Sequence, residues 1–253
     1  MHQRLLPLSL LLLILSSPGR AGDLTLTTGI DYSTGKYGTA SATDIYYVPV
    51  TAKYEFGRTT LKATVPYLRI TSGAGPRTTA EGPGDVVTSL AYSVFEKPRG
   101  NLLLDVLGKI KWGTADAGKG LGNGKNAYSL QFDAYYLAGA LTPFATLGYR
   151  VPEDPPGVVL ENAWFGTLGL GYKISSVNSA GFMWDLRQAS RSAGGGAVVD
   201  ADGRPASSLA SNDATLYWVH KFTPDYKIQV YTSRGFSDAS AGHGFGMMIS
   251  GRF

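Results

Sequence analysis

Residues 241–253 read AGHGFGMMISGRF. From Phe245 onward, large apolar or small residues fall at every second position: Phe245, Met247, Ile249, Gly251 and Phe253. Gly246, Met248, Ser250 and Arg252 stand between them. That alternation is the period of a β-strand, whose side chains point to opposite faces in turn. Soluble chains usually fray to polar residues at their ends. This one keeps an apolar face up to Phe253, so the last residue is expected to have a structural use. The alternative is an ordinary edge strand that happens to end on phenylalanine.

The other end reads MHQRLLPLSLLLLILSSPGRAGD. Arg4 supplies a positive start, Leu5 to Leu15 is an apolar run of 11 residues, and SSPGRA supplies turn formers and small residues. Charge, length and cleavage chemistry are those of a secretory signal peptide. Eleven residues are too few to cross a bilayer as a helix. Residues 1–21 are therefore expected to be a signal peptide, and residues 22–253 one folded unit.

There is no cysteine, hence no disulfide and no thiolate metal site. Losing Arg4 and Arg20 with the signal lowers the formal charge from +4 to +2. No basic run remains, so nucleic acid is not an expected partner. No stretch of 18 apolar residues follows the signal, which excludes a helical membrane protein. A membrane barrel stays open, because its strands alternate.

Period-2 alternation between turn residues predicts twelve strands, near 23–37, 44–56, 59–70, 84–96, 101–114, 128–139, 143–151, 162–174, 180–190, 213–222, 226–236 and 243–253. Five connections are tight: GR at 57–58, KPRG at 97–100, ALT at 140–142, SSVNS at 175–179 and TPD at 223–225. The six others alternate with them and several are long: 38–43, 71–83, 115–127, 152–161, 191–212 and 237–242. An even strand number with short turns at one end and long loops at the other is the rhythm of an outer-membrane barrel.

The faces agree. Leu102, Leu104, Val106, Gly108, Ile110 and Trp112 oppose Leu103, Asp105, Leu107, Lys109 and Lys111. A soluble β-sandwich would alternate in the same way. The signal segment, the loop rhythm and Phe253 favour a barrel with its apolar faces toward lipid. Tyr46, Phe56, Trp112, Tyr128, Tyr136 and Trp164 lie near strand ends and suit interfacial girdles. The final strand, with Phe245, Met247, Ile249 and Phe253, resembles the C-terminal signal of bacterial outer-membrane proteins. That resemblance implies recognition by the barrel-assembly machinery and residence in the outer-membrane bilayer.

Twelve strands at ~4.8 Å spacing and ~40° tilt enclose a ring roughly 24 Å across, most of it filled by side chains. The candidate pore-lining residues are Lys53, Lys62, Asp85, Asp105, Lys109, Lys111, Asp133, Lys173, Asp185 and Arg187. Both signs occur, and pairing across the lumen is expected for most of them. If GR is a two-residue hairpin turn, Pro49 faces Pro66, both toward the lumen. Proline cannot donate to a ladder. The pair marks either a bulge that tightens curvature or a lateral gap in the wall for a greasy solute. Asp85 follows two loop glycines, and is expected to brace a loop by accepting backbone hydrogen bonds.

Enzyme chemistry has little support. His243 follows Ser237, Asp238 and Ser240 in a short loop, and His220 lies near a tight turn. Loop polarity accounts for these residues without a catalytic triad. GKGLGNGKN at 118–126 lacks the spacing of a phosphate loop. AGGGAVVDADGRP at 193–205 lacks that of a calcium loop. No cofactor or metal is expected.

Two stretches carry a family resemblance. EGPGDVVTSLAYSVF at 81–95 opens on Gly-x-Gly-Asp, and KIKWGTADAGKGLGNGKNAYSLQFDAYY at 109–136 returns through GLGNGK-x-x-YS. PFATLGYRV follows at 143–151. Together they resemble the MetA-pathway of phenol degradation family of outer-membrane proteins. GTADAGKG stands where members often show a Pro-Thr-Gly pattern. The resemblance implies passive passage of small aromatic or hydrophobic solutes. The expected reading is an outer-membrane channel. The alternative is a plugged surface-binding or structural barrel, and a membrane hydrolase is the third.

Overall fold

The computed structural model describes residues 22–37, 40–72, 78–95, 101–157, 159–189, 198–199, 205–206 and 210–253. The signal segment, the KPRG turn and most of the 193–205 stretch lie outside them. The strands are β1 (Asp23–Gly35), β2 (Thr43–Phe56), β3 (Thr59–Ser72), β4 (Thr78–Pro83), β5 (Val87–Phe95), β6 (Leu102–Lys111), β7 (Ala127–Tyr136), β8 (Leu141–Pro152), β9 (Ala163–Lys173) and β10 (Asn178–Arg187). A two-residue hairpin, β11 (Val198–Val199) with β12 (Pro205–Ala206), stands apart from the sheet. β13 (Ser211–Lys221), β14 (Tyr226–Gly235) and β15 (His243–Arg252) complete the chain.

Every neighbouring pair is antiparallel, and β15 pairs with β1 from Thr25↔Arg252 to Thr34↔His243, which closes the sheet on itself. β4 and β5 both pair with β3, at successive levels of its edge. They are two halves of one wall strand, so thirteen segments make a twelve-stranded up-and-down barrel. The closing ladder extends to Phe253, whose N–H donates to Leu24 O at 2.8 Å and whose carbonyl accepts from Leu24 N–H at 3.2 Å. Its ring meets Tyr226 edge-on at 6.3 Å. Phe253 thus ties the seam between the first and last strands.

Closure gives every strand two partners and two faces. Val50, Leu90, Phe132, Leu147, Leu168 and Leu216 point outward and are more than half exposed. A continuous belt of such side chains would be costly in water, at about 25 cal/mol per Å² of apolar surface. In lipid the cost vanishes. The girdle aromatics Tyr46, Phe56, Trp112, Tyr128, Tyr136 and Trp164 also face outward.

The fourth wall strand departs from expectation. The sequence predicts one strand over 84–96 after a loop at 71–83. Instead that loop contains β4, and the wall is broken at Gly84–Val86. TTAEGP shows little apolar alternation: of its inward residues only Ala80 is apolar and packs beside Ile70, while Thr79 and Glu81 on its outward face are polar. Arg69 and Glu81 lie opposite each other there, 3.9 Å apart.

Candidate functional site: a latched loop beside a broken wall

The two Gly-rich motifs, far apart in sequence, meet inside the barrel. β6 ends at Lys111, and residues 112–126 turn back across the inner side of the break. Trp112 N–H donates to Val86 O at 2.8 Å, and Val86 N–H donates to Thr114 Oγ1 at 2.9 Å. Lys111 Nζ then donates to Asp85 Oδ2 at 2.7 Å, Asn123 Oδ1 at 2.8 Å and Lys125 O at 2.9 Å. Asp85 Oδ1 accepts from Ala115 N–H at 2.9 Å. The Lys111 and Asp85 side chains are only 1% and 6% exposed. Burial of two charges is tolerated only when their hydrogen-bonding capacity is met, and here all three ammonium protons have acceptors.

The glycines make this approach possible. A Cβ on Gly122 would lie 2.8 and 2.9 Å from the Asp85 carboxylate oxygens. Gly120 closes a 3-10 turn over Ala117–Lys119 in the left-handed region, at φ 72°. Between them Leu121 points inward and is 1% exposed. It joins Tyr37, Ile45, Leu68, Ala115 and Ala241 in one buried apolar cluster, drawn from β2, β3 and three of the long loops. This cluster lies at the long-loop end of the barrel.

A clasp holds the base of the loop. Asn126 Oδ1 accepts from Gly113 N–H at 3.1 Å. Glu153 accepts from Asn126 N–H at 3.1 Å and Tyr128 OH at 3.1 Å. The Asn126 backbone donor, then the Tyr128 hydroxyl, lower the Glu153 pKa below the ordinary glutamate value.

The ladders explain the prolines. Pro49 pairs with Pro66 in an unbroken β2–β3 register from Thr43↔Ser72 to Phe56↔Thr59. No bulge separates these two strands; the irregular pairing lies on their outer flanks. Pro66 O accepts from Gly84 N–H at 2.9 Å, so this residue's ladder side faces the β4–β5 break. In a strand, one residue's N and C=O point to the same side. Pro49, its partner, then faces β1, where pairing skips from Thr28↔Val50 to Asp31↔Tyr47. On the other flank the register slips by one, from Thr64↔Val87 to Tyr67↔Pro83. β4 ends the sheet order, with no strand on its far edge among the described residues.

The other expected lining residues sit on the inner face, where several have partners on their own or a neighbouring strand. Among the ten, Lys111 and Asp85 pair with each other. Lys53 pairs with Glu55 of its own strand at 2.7 Å. Asp105 accepts from Ser93 at 2.7 Å, Asp185 from Thr167 at 2.6 Å, and Asp133 from Gln131 and Thr146. Wall hydroxyls in the same cross-strand row stabilise these carboxylates. Lys62 and Lys109 face Ser89 across the ladders, Arg187 faces Phe165, and Lys173 stands exposed at the short-turn end. Ser240 bonds Asn212 O and Ser237 Oγ, each at 2.8 Å, which fastens the last loop. His220 points outward between Trp218 and Phe222, with Nδ1 2.9 Å from Asn178 Oδ1. Asn123, Leu121, Tyr37 and Arg150 escaped the sequence reading. Arg150 carried a signal, being in phase with Thr146 and Gly148 on β8, and Leu121 and Asn123 lay within the GLGNGK motif without being singled out.

A closed barrel with an apolar outer belt and a loop folded into its lumen defines the class as a transmembrane β-barrel. No family model matches the chain, and no curated protein matches it. Solved structures do. The COG4313 outer membrane channel from Pseudomonas putida F1 aligns at TM-score 0.75 and 12% identity, covering 93% of this chain and 97% of that one. The NanC porin aligns at TM-score 0.55 and 9% identity, over 89% and 98% of the two chains. The KdgM porin aligns at TM-score 0.53 and 8% identity, over 90% and 99%. At such identities the likeness establishes a shared fold.

Proposed function

We propose that this protein is an outer-membrane channel for small apolar or aromatic solutes, and that its inward-folded loop gates it. The observation that carries this reading is the apolar cluster around Leu68 and Leu121, which abuts the wall break at Gly84–Val86. A water-filled porin would line this level with polar groups. Here the level is filled by packed apolar side chains that a greasy solute would have to displace and replace, beside a wall whose ladder slips by one residue. The resemblance to the MetA-pathway of phenol degradation family points to the same solute class. Insertion would be guided by the barrel-assembly machinery reading the outward Phe245, Met247, Ile249 and Phe253. Phe253→Ala is accordingly expected to lower the amount of heat-modifiable barrel in outer membranes severalfold. Unchanged amounts would remove the assembly role and leave only the seam contact.

The test is single-channel conductance of the refolded mature protein in a planar bilayer, with phenol and a sugar added in turn. Small discrete steps blocked by phenol and indifferent to the sugar are expected. The same cluster also favours a second reading, a plugged barrel that binds ligands at the surface. A folded, heat-modifiable protein without any conductance would decide for that second reading.

A further inference from the structure

Following the ladders across the inner face brings out a second pattern. Lys53 pairs with Lys62, Lys62 with Ser89, Ser89 with Lys109, Lys109 with Ser129, and Ser129 with Arg150. These residues form one cross-strand row over β2, β3, β5, β6, β7 and β8. Lys53 and Lys62 lie close to the Gly57–Arg58 turn, whereas Arg150 lies two residues before the end of β8. The row therefore climbs the barrel from the short-turn end to the long-loop end, as cross-strand rows must when strands are tilted. The carboxylates occupy a different row: Asp105, Asp133, Thr146, Thr167, Asp185 and Asp213 oppose one another in sequence. Four residues along a strand, roughly 13 Å, separate Asp105 from Lys109.

At the top of the basic row is a small recess, with about 10 Å³ of enclosed room and its mouth toward the lumen, lined by Lys109, Ser129, Arg150, Phe165, Arg187 and Gln188. Lys109 and Arg150 are two strands apart, about 10 Å. Arg187 pairs with Phe165 in the next row. The Phe165 ring lies across Gly148 of the neighbouring strand, in space that any side chain there would occupy. Lys109 Nζ stands 6.0 Å from the ring centroid. Lys109 thus lies over the aromatic floor and two guanidinium-bearing residues share the recess, inside a low-dielectric wall that focuses their field. Each cation has neighbours of its own, and Asp185 lies two residues from Arg187 on the same face. What matters is the convergence of three positive groups on one ring-floored recess.

We propose that this recess is a binding station for organic carboxylates with an aromatic body, and that Lys62 and Lys53 continue its track toward the short-turn mouth. Two guanidinium groups suit a carboxylate, which they can grip with paired N–H donors, while Phe165 accepts the ring. The proposal rests on the channel reading above and narrows its solute class. It is tested by calorimetric titration of the refolded full chain in a zwitterionic detergent with benzoate, benzyl alcohol and acetate. Benzoate is expected to bind near one per barrel, more tightly than either competitor, and to weaken with salt. R150Q/R187Q is expected to weaken benzoate at least tenfold and leave benzyl alcohol unchanged. K109Q gives a second, milder variant should the double one lose its heat-modifiable fold. Equal binding of benzoate and benzyl alcohol, or benzoate binding that ignores these variants, overturns the station. Benzoate binding without conductance overturns the channel reading alone. Conductance steps without benzoate dependence overturn the station alone.

Discussion

Lys111→Met should open the lumen and destabilise the barrel. The substitution removes three donors at once and leaves the Asp85 carboxylate buried, with the Ala115 N–H at 2.9 Å as its remaining donor. Removing one partner of a buried ion pair typically costs about 3–5 kcal/mol, because the remaining charge stays desolvated. The loop has a way out of that penalty. It can leave the lumen and let water reach Asp85. Leu121 would go with it, and the apolar cluster would lose its central side chain. The expected result is a larger and noisier single-channel conductance, together with a lower urea midpoint. D85N/K111M should recover part of both, since a neutral amide oxygen still accepts from Ala115 and no charge is left behind. Gly122→Val should mimic the single variant by pushing the loop off Asp85 sterically. Wild-type conductance in Lys111→Met would show that the pair does not hold the loop.

Much of this architecture was legible from residue patterns alone. Alternation such as Leu102, Leu104, Val106 against Asp105, Lys109, Lys111 shows two faces, and a barrel is the arrangement that gives each its own solvent. The GR turn is so short that it fixes the β2–β3 register, and Pro49↔Pro66 follows by counting. What counting could not reveal is which side of the ribbon each proline's missing donor faces. That depends on whether the pair is hydrogen-bonded, and the neighbouring strands decide it. β4 was hidden because it stands beyond the apolar belt, so no alternation is demanded of it. The latch was only half visible. Asp85 and Lys111 were both candidates, but nothing local says that a loop 30 residues beyond Asp85 returns to bury the pair. The glycines at 120, 122 and 124 marked the loop as special without saying what it approaches. Long-range closeness of this kind is set by the curvature of the whole barrel.

Pro49→Val with Pro66→Val should slow entry of an apolar solute while leaving ion conductance nearly unchanged. Each valine restores an N–H where the wall now lacks one. At residue 66 the new donor faces the β4–β5 break, and at residue 49 it faces β1. A net hydrogen bond is worth about 1 kcal/mol, which matters in a seam with few others. The two sites are not equivalent. The β1–β2 register resumes in phase on both sides of its gap, whereas the β3 flank slips by one residue around Gly84–Val86. A slipped ladder cannot heal without moving a residue, so the weak seam is the one beside Pro66. Pro66→Val alone should therefore carry most of the effect, and Pro49→Val alone little. Uptake of a labelled apolar solute into proteoliposomes, compared across the two single variants and the double, reads this directly. Equal uptake in all four proteins would mean that solutes pass along the barrel axis. The break would then serve only to let the wall turn inward toward Asp85.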